Sequence, residues 1–413
     1  MALEIVPYSG EAVGAVREFN QRLLAGGAGA EHEQFPETPH PGWLPGLELF
    51  LAIEEGQVRG GYMLRRQQFR AGGVTCTAAH YRLPLSEGVI DRRYAMLGLR
   101  LVRDALARES RLYAIGMAGW EKPLPQMLRR LGWTMEAVPF HFKVVHAGRF
   151  LRQIRHLRSS PLRRAALDAA AFTGAGWLAL KALGMTRRAA AGAYELASGF
   201  APWADEVWER SRPAYALVAE RDAATLDQLY PPSDARFLRV RAAGGWAVLL
   251  DTQMENHKQF GDMRVGTIVD CLAPPESAAA IMRAAASVLE ERGVDLIVSN
   301  QMHAAWRRGL VDSGFRVGPS NYLLSLSPAF SEAAGVCPAD PPTSSAETGR
   351  LKPAPPGGVC PADPPTSSAE TGRLKPAPPG GVCPAGRLKP APPGARFDQF
   401  HVNRGDGDGP VHL

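Results

Sequence analysis

The sequence predicts an α/β protein with two tandem mixed-sheet domains, a helical linker between them and a disordered repeat insertion near the C-terminus. Residues 112–145 align with residues 294–327 without a gap, at an offset of 182 positions. Apolar and glycine positions coincide through a strand, a helix, a turn and a second strand; Gly132, for example, aligns with Gly314. Such internal similarity indicates a duplicated structural unit, with each copy of ordinary domain size.

Composition indicates a globular chain and excludes several classes of function. The 413 residues, 45% hydrophobic and 21% charged, suffice for two or three domains with substantial cores. The formal net charge of +6 is mild, and the basic residues do not interleave with aromatics along a stripe, so we expect no nucleic-acid partner. The first residues lack the pattern of a secretory leader, and no run of about 20 residues is uniformly apolar. We therefore expect a cytoplasmic protein.

The five cysteines indicate neither a metal site nor a disulfide framework. Cys337, Cys360 and Cys383 recur at one position of a repeat, whereas Cys76 and Cys271 lie in strand-like runs. Their spacing matches neither the CxxC pairs that hold zinc nor the even sets of small secreted domains. We expect reduced thiols and no metal.

The first predicted domain, residues 1–148, alternates between strand and helix patterns. A strand (LEIVPY) and a helix (EAVGAVREFNQRLLAGG) come first, and three strand-like runs follow: LFLAIEEG, GYMLRRQQF and VTCTAAHYRLPL. A helix over 93–109, a strand over 111–117, a helix over 123–131 and a strand over 133–145 complete it. Antiparallel strands that lead into β–α–β–α–β indicate a mixed sheet.

The predicted linker, residues 149–200, is basic and rich in alanine. Its arginines surround the helical run AALDAAAFTGAGWLALKALGM; they are Arg149, Arg152, Arg155, Arg158, Arg163, Arg164, Arg187 and Arg188. A basic amphipathic helix can lie on an anionic membrane surface, and an interdomain helix that covers a core explains the same pattern. Two interpretations stay open: peripheral contact with the inner membrane through 149–190, or a purely structural linker.

The second predicted domain, residues 201–334, repeats the pattern of the first. Helices between 203 and 230 precede the strand-like runs RFLRVRAAG, GWAVLLDTQ and RVGTIVDCL. A helix over 276–292, a strand over 294–299, a helix over 303–312 and a strand over 315–327 follow.

The C-terminal part contains a repeat and then another structured segment. Residues 335–394 repeat GVCPADPPTSSAETGRLKPAPPG and have too few large apolar side chains to offset their ordering entropy, so we expect disorder. Residues 395–413 alternate between apolar and polar positions and end in Gly and Asp. We expect the final strand of the second domain there, followed by a Gly/Asp turn.

Each copy ends its short helix with Leu-x-x-x-Gly-aromatic, at 128–133 and 310–315. The order strand, turn, helix, strand, short helix with this ending, then strand resembles the core of the GNAT superfamily of acyl-CoA-dependent acyltransferases. Two such units in one chain are similar to the tandem arrangement of FemAB-type aminoacyltransferases, and residues 208–230 fit the start of the second unit. The resemblance covers nearly everything except the linker and the tail, and it implies acetyl-CoA or another acyl-CoA as co-substrate.

The turn before the long helix of each copy carries the clearest chemical signal. The resemblance implies that Arg/Gln-x-x-Gly-x-Gly/Ala at this turn binds the coenzyme A pyrophosphate, and the free N–H groups of any helix N-terminus favour an anion. In the first copy the cofactor-binding candidates are Arg92, Arg93, Tyr94, Ala95 and Gly98, with Met96 where the family has glycine. The second copy has small residues and Glu276, which would repel a phosphate. We expect one coenzyme A site, in the first copy; an ordinary helix start is the alternative.

An amine acceptor must lose a proton, so a base is needed near the strand before this turn. His80 and Glu87 are the catalytic candidates. A hydrogen-bonded strand histidine and a solvated loop carboxylate are the alternative interpretations. Alternation places Ala78, His80 and Arg82 on one face of the strand.

Neither copy has the tyrosine that many GNAT members place four residues before the helix-end glycine. Leu128 and Leu310 stand there, so Tyr94 or Tyr113 would have to act as the acid toward the thiolate. In the second copy, Cys271 and His303 are a conceivable nucleophile and base, and a core-facing cysteine is the alternative.

We therefore expect an N-acyltransferase that moves an acyl group, in the first place acetyl, from acyl-CoA to an amine. The acceptor would be a small molecule, or a glycan or peptide such as an amino sugar of a surface-polysaccharide precursor or a cell-wall peptide. Two alternatives stay open: a FemAB-like aminoacyl transferase that draws on charged tRNA, and a non-catalytic tandem module that binds a ligand between its copies. The oligomeric state is left open.

Overall fold

The structure is a computed structural model that describes residues 3–28, 33–41, 46–182, 192–336 and 396–406. The described residues belong to one compact unit. The predicted disordered insertion, 335–394, lies outside the described residues except for its first two positions. Within the described part of the chain, no helix is both long enough and apolar enough to cross a membrane.

The first half contributes seven strands and three helices among the described residues. In chain order they are β1 (Glu4–Pro7), α1 (Val13–Ala25), β2 (Leu47–Glu54), β3 (Gln57–Ala71), β4 (Val74–Ser86), α2 (Leu97–Arg108), β5 (Leu112–Gly116), α3 (Pro123–Arg130), β6 (Thr134–Ala137) and β7 (Phe140–Val144). The hairpin between β3 and β4 turns at Gly72 and Gly73, whose φ angles of +55° and +88° are ones that side-chain-bearing residues rarely adopt.

The linker and the second half follow the same alternation. Their elements are α4 (Ala147–Gln153), α5 (Pro161–Phe172), α6 (Ala175–Ala182), β8 (Glu195–Ala197), α7 (Pro202–Ser211), β9 (Leu217–Ala219), α8 (Ala223–Leu229), β10 (Leu238–Ala242), β11 (Gly245–Gln253), β12 (Arg264–Leu272), α9 (Ala278–Glu291), β13 (Leu296–Asn300), α10 (Ala304–Asp312), β14 (Arg316–Gly318), β15 (Leu323–Leu326), α11 (Pro328–Ala333) and β16 (Phe400–His401).

The strands form two mixed sheets, which confirms the predicted α/β fold class. The order in the first sheet is β1-β2-β3-β4-β5-β15-β6, with β9 paired to the end of β3 and β16 paired to β9. The order in the second sheet is β14-β7-β13-β12-β11-β10-β8. Each sheet has one parallel pair in its middle, β4–β5 in the first and β12–β13 in the second.

Each half donates an interior strand to the sheet of the other half. β7 lies between β13 and β14 in the second sheet, and β15 lies between β5 and β6 in the first. Leu324 of β15 lies opposite Ile115 on one side and Glu136 on the other. All four residues of β15 are buried, so the donated strand is an interior strand. The sheets therefore differ from the predicted domains 1–148 and 201–334 in these two exchanged strands and in β9, which extends the first sheet. The strand expected in residues 395–413 as the last of the second domain is β16, which also joins the first sheet because it pairs with β9.

The connection between β6 and β7 explains why β7 leaves the first sheet. Only Val138 and Pro139 separate the two strands. Two-residue hairpins use turns with positive φ at the first or at both central residues. The β-branched Val138 resists positive φ, and the ring of Pro139 fixes φ near about −65°. Because a tight hairpin is excluded, the chain crosses to the second sheet, where the Gln301 N–H donates to the Pro139 carbonyl at 3.2 Å.

Both faces of the first sheet are covered, by different parts of the chain. One face packs against α2 and α3, which bury apolar side chains at helical spacing such as Leu97, Leu101 and Leu128. α1 covers the β2–β3 side of the opposite face. The rest of that face contacts the second half of the chain through Met302 and Phe400. The halves are therefore joined by a shared core as well as by exchanged strands.

Candidate active site

In the first half, β4 and β5 separate and leave a gap near the start of α2. These parallel strands pair only at Ala79–Leu112 and His80–Tyr113. β4 then continues to Ser86, whereas β5 ends at Gly116. The gap lies at the carboxyl ends of parallel strands, which is where open α/β sheets generally bind ligands.

A bulge in β4 lies where the two strands separate. The register of β4 against β3 shifts between Gly61 and Met63, and Leu83 has a φ of +43°. A bulge leaves its extra residue outside the ladder, and the next residue, Pro84, has no N–H to donate. Backbone groups of β4 are therefore available at the gap.

Two exposed arginines stand at the start of α2. Arg92 and Arg93 belong to a short 3-10 helix, Arg92–Tyr94, whose N-cap Asp91 accepts a hydrogen bond from the Arg93 N–H at 2.9 Å. The Arg93 side chain is 78% exposed and pairs with the Asp91 carboxylate at 2.6 Å. This hydrogen-bonded pair lowers the pKa of Asp91 and raises that of Arg93. Both guanidinium groups and the N-terminal N–H groups of α2 attract an anion, and Asp91 offsets part of that charge.

The other predicted cofactor-binding residues lie at the same helix start. The Tyr94 hydroxyl donates to the Glu54 carboxylate at 2.6 Å, so the buried Tyr94 supports the turn. Ala95 is exposed. A Cβ added at Gly98 would have the Met127 sulfur, 3.8 Å away, as its nearest neighbour. Packing therefore does not require glycine at position 98, and its backbone stays accessible to a ligand.

His80 lies inside the protein, on the face of β4 opposite to α2. Its side chain is 1% exposed and stacks on Tyr113, with ring centroids 4.7 Å apart. Its Nδ1 has no hydrogen-bond partner among the described residues. Burial, and then the charges of Arg82 and Arg65, hold its pKa well below 6.5. The imidazole is therefore neutral near neutral pH and can accept a proton; its role as the base stays a prediction.

Glu87 joins three elements through ion pairs. Its buried carboxylate accepts hydrogen bonds from Arg22 of α1 at 2.7 Å and from Arg59 of β3 at 3.0 Å. It is therefore not the solvated loop residue of the alternative interpretation. These contacts hold the end of β4 against α1 and β3, and a catalytic role for Glu87 stays a prediction.

Sequence reasoning missed the polar side chains that surround His80. Arg65 lies opposite His80 in the β3–β4 ladder and hydrogen-bonds to Gln67. The Arg65 side chain is buried, and its Nη1 has no partner within the described ranges. Burial lowers its pKa, and the neighbouring Arg221 adds to this effect. The available signal was strand alternation, which places Arg65 and Gln67 on the face of β3 that His80 shares.

Tyr113 is the better placed of the two substitute acids. Its hydroxyl accepts from Gln67 at 2.7 Å and donates to the Asp406 carbonyl at 3.0 Å. Burial raises the pKa of Tyr113, so the hydroxyl keeps its proton. Tyr94 is bound to Glu54 instead. Leu128, at the position of the usual tyrosine, is fully buried in the core.

In the second half, residues 400–406 fill the corresponding gap. β12 and β13 pair only over 265–268 and 296–299. Beyond this point the Met302 N–H donates to the Val402 carbonyl at 3.0 Å, and Asn403 forms a β-bridge with Gln301. The Asn403 amide also donates to Asp270, near the end of β12, at 2.9 Å. This C-terminal segment therefore connects the separated ends of the two strands.

A buried ion-pair network fastens the C-terminal segment. Arg221, 1% exposed, binds the carboxylates of Asp270 at 2.8 Å and of Asp406. Burial disfavours the Arg221 charge, yet the two carboxylates raise its pKa above the ordinary value. The Tyr230 hydroxyl also donates to Asp270, at 2.8 Å. A Cβ at Gly405 would lie 2.5 Å from oxygens of Asp270 and Tyr230, so only glycine fits there.

The start of α9 has no counterpart of the arginine pair. A 3-10 helix, Pro275–Ser277, precedes it, and Glu276 in that turn is exposed. A Cβ added at Gly309 of α10 would meet the Ala279 backbone at 2.8 Å, so α10 lies directly on the first turn of α9. Met127 holds the aligned position in the first half, where the helix start is more open. The described turn before α9 therefore lacks both features of the first half, the arginine pair and the open helix start.

No hydrogen bond between Cys271 and His303 occurs among the described residues, so the structure does not bring them together as a catalytic pair. The buried Cys271 thiol contacts Gln301 at 3.8 Å, and burial, with the Asp270 charge, raises its pKa well above the ordinary value. His303 instead caps α10, because its Nδ1 accepts from the Ala305 N–H at 3.2 Å. Both residues have structural contacts that account for their burial.

No protein-family model matches the sequence, and no curated protein matches it. Among solved structures, the chain is similar to Eis1 from Mycobacterium abscessus, with 15% identity over 81% of this chain and 76% of that chain and a TM-score of 0.43. It is also similar to a GCN5-related N-acetyltransferase from Kribbella flavida, with 14% identity over 81% of this chain and 74% of that chain and a TM-score of 0.46. A third similar structure is Saccharomyces cerevisiae N-myristoyltransferase with bound myristoyl-CoA, with 8% identity over 79% of this chain and 82% of that chain and a TM-score of 0.47. Identities this low concern the fold alone.

Proposed function

We propose that the protein is an acyl-CoA-dependent N-acyltransferase with one active unit, the first half. The contrast between the two gaps supports this most. The gap between β4 and β5 lies beside two exposed arginines at a helix start, whereas residues 400–406 fill the gap between β12 and β13. The first half can thus accept an extended co-substrate, and the second half covers part of the first sheet.

In this proposal the pyrophosphate of the acyl-CoA binds at the start of α2. Arg92, Arg93 and the first N–H groups of the helix supply the positive charge and the donors. Gly98 keeps the backbone open to the phosphates. The pantetheine arm follows β4 beyond its last pair with β5, where the bulge at Leu83 leaves backbone groups outside the ladder.

The transfer forms a bond between the acceptor nitrogen and the acyl carbon and breaks the bond from that carbon to sulfur. His80, neutral because of its burial, takes the proton that the amine loses. A backbone N–H of β4 near the bulge stabilises the developing oxyanion. Tyr113, which stays protonated and stacks on His80, returns a proton to the thiolate. The proton balance closes when His80 releases its proton to solvent and Tyr113 takes one up from solvent.

The charges around His80 favour the reactive form of an amine acceptor. Arg65 and Arg82 are both buried on this side of the first sheet, whereas the charge of the nearby Arg221 is compensated by Asp270 and Asp406. Neighbouring positive charges lower the pKa of an amine, because they disfavour its ammonium form. A larger fraction of an amine bound there is therefore in the neutral form, which is the nucleophile. We propose acetyl as the acyl group because of the GNAT resemblance, and an amino sugar or cell-wall peptide as the acceptor class because of the tandem resemblance.

Isothermal titration with acetyl-CoA and with a long-chain acyl-CoA tests the proposal. We expect Arg93→Glu to weaken binding at least tenfold, since one charge-assisted contact contributes roughly 1.5–3 kcal/mol. Arg103→Glu, an equally charged change on the exposed side of the same helix, is the matched control and should bind as the wild type does.

The outcome also separates the alternatives. Absence of binding by any acyl-CoA to the folded protein would refute the proposed function and favour a FemAB-like transferase that uses aminoacyl-tRNA. Binding that Arg93→Glu abolishes, without transfer to any amine in a broad acceptor screen, would leave a non-catalytic binding module. Loss of transfer with retained binding in His80→Ala would support the role of His80.

A further inference from the structure

The part of the linker that the structure describes, residues 149–182, leaves large apolar side chains exposed. We call its exposed side chains the linker surface. Leu162 is 84% exposed and Phe172 91%, and Leu157, Trp177 and Leu178 are exposed as well. Single exposed apolar residues are normal, but a cluster within one short segment marks an interaction site.

The helix α5 contacts the rest of the molecule by one face only. Leu167, Ala170 and Ala171 are partly buried against the core beside β7. At about 100° per residue, these three positions lie on one side of the helix. The opposite side consists of Leu162, Ala165, Ala169 and Phe172, which are all exposed. α5 therefore presents an apolar stripe outward, the reverse of an ordinary surface helix.

The linker surface also carries the net charge of the chain. Residues 149–182 contain one acidic residue, Asp168, and seven basic ones: Arg149, Arg152, Arg155, Arg158, Arg163, Arg164 and Lys181. The resulting +6 equals the formal net charge of the whole protein, so all other residues together are close to neutral. Asp168 is paired with Arg158 at 2.7 Å, and Arg149 is paired with Asp295 outside the linker at 3.3 Å. Apart from Arg158, these basic side chains are exposed.

We propose that the linker surface binds an anionic lipid bilayer. The exposed apolar side chains would enter the boundary between headgroups and acyl chains, and the arginines would contact lipid phosphates. Lys181 lies over the Trp177 ring at 4.8 Å, which pairs an interfacial aromatic with a cation. A polyanion such as RNA would leave the outward stripe of α5 in water. An apolar protein partner would leave the positive charge uncompensated. This inference goes beyond the acyltransferase proposal and does not depend on it.

Vesicle flotation of the full-length protein tests the inference. The probes are vesicles of phosphatidylcholine alone and vesicles in which about a third of the lipid is phosphatidylglycerol. We expect flotation with the anionic vesicles at least tenfold above that with neutral ones. We expect it to weaken as salt rises, because the surface potential decays within a Debye length of about 8–10 Å.

Two double variants separate the apolar and the charged contributions. Leu162→Ser with Phe172→Ser should reduce the binding constant for anionic vesicles at least tenfold, and so should Arg163→Glu with Arg164→Glu. The matched controls carry equal changes at other exposed positions, namely Val74→Ser with Val317→Ser and Arg129→Glu with Arg130→Glu. Both controls should bind vesicles as the wild type does.

Three results would overturn the inference. The first is equal flotation with neutral and anionic vesicles. The second is unchanged binding by the Leu162/Phe172 variant beside a loss in the Arg163/Arg164 variant, since adsorption by charge alone needs no apolar stripe. The third is a concentration-dependent dimer, seen by sedimentation velocity without lipid and abolished by the Leu162/Phe172 variant. That dimer would assign the stripe to a second copy of the chain.

Discussion

The two halves of this chain share a scaffold but differ where their central parallel strands separate. In the first half the gap lies beside the exposed Arg92 and Arg93; in the second half, residues 400–406 occupy it. Apolar positions such as Leu128 and Leu310 are fully buried in both halves. Packing thus restricts which residues can occupy the core of both halves. Residues at a gap are restricted only where a ligand or a chain segment binds there.

The buried arginines beside the two gaps differ in how their guanidinium groups are satisfied. In the second half, the Arg221 guanidinium has two carboxylate partners. In the first half, Arg65 Nη1 and His80 Nδ1 lack partners among the described residues. A buried polar atom without a partner is costly, so its presence calls for an explanation. In the proposed function, a bound acceptor would supply hydrogen bonds to these two atoms, and the difference between the halves can be tested.

The largest expected effect comes from a strand of the second half that lies inside the first sheet. Leu324→Asp would place an unpaired carboxylate between β5 and β6, where Leu324 is 1% exposed. We expect the free energy of unfolding to fall by about 5 kcal/mol or more, measured by urea denaturation. Val317→Asp on the exposed edge strand β14 should change it by less than about 0.5 kcal/mol. Similar losses in both variants would contradict the exchange of strands.

The next largest effect compares the two buried ion-pair networks. Asp270→Ala leaves Arg221 with a single carboxylate, and we expect a loss of about 3–5 kcal/mol. Glu87→Ala in the first half should cost about 1–2 kcal/mol, because Arg22 and Arg59 are partly exposed and can turn to water. Both values come from urea denaturation at pH 7. A larger loss for Glu87→Ala would show that the first network is the tighter one.

Acid should loosen the C-terminal segment, because His401 of β16 is buried. Burial lowers its pKa from 6.5 to about 4, so between these pH values the unfolded chain binds a proton that the folded chain does not. Stability is therefore lost as the pH falls from 6.5 toward 4, by about 2 kcal/mol at pH 5. His401→Asn should reduce the difference in stability between pH 7.5 and pH 5, whereas the exposed His40→Asn should not. An unchanged difference in His401→Asn would show that other groups cause the acid loss.

The smallest expected change in free energy gives the most direct test of the difference between the two helix starts. Gly98→Asp and Ala280→Asp place a carboxylate at aligned positions of α2 and α9. Both should leave the melting temperature nearly unchanged, since an acid near a helix N-terminus is favourable and a Cβ at Gly98 would make only ordinary contacts with Met127. Only Gly98→Asp should weaken acetyl-CoA binding, by about tenfold, or roughly 1.4 kcal/mol. Equal weakening in both would place coenzyme A at both halves.

Much of the fold was predictable because burial leaves a periodic pattern. The predicted helix 123–131 is observed as Pro123–Arg130, and the predicted strand 294–299 as Leu296–Asn300. The helix predicted over 93–109 begins only at Leu97, because residues 92–94 form a 3-10 turn. The exchange of strands was missed, since an apolar pattern does not state which sheet a strand joins. Pro139 was the local signal that could have indicated it.

Those features of the candidate site that depend on a single strand or helix were predictable from the sequence. Alternation correctly placed His80 and Arg82 on one face of β4, as their pairing with Arg65 and Met63 shows. Partners distant in sequence could not be predicted. Glu87 and Arg22 are 65 positions apart, and Arg221 and Asp406 are 185 apart. Tertiary folding alone brings such pairs together.

The exchange of β7 and β15 also bears on how such a chain can change over generations. A deletion that removed either half would take an interior strand from the sheet that remained. A half whose own gap is filled is therefore kept for the strand it lends, whether or not it binds a ligand. The two halves must therefore be inherited together. Each half can vary in its loops and at its gap, but neither can be deleted without damage to the other.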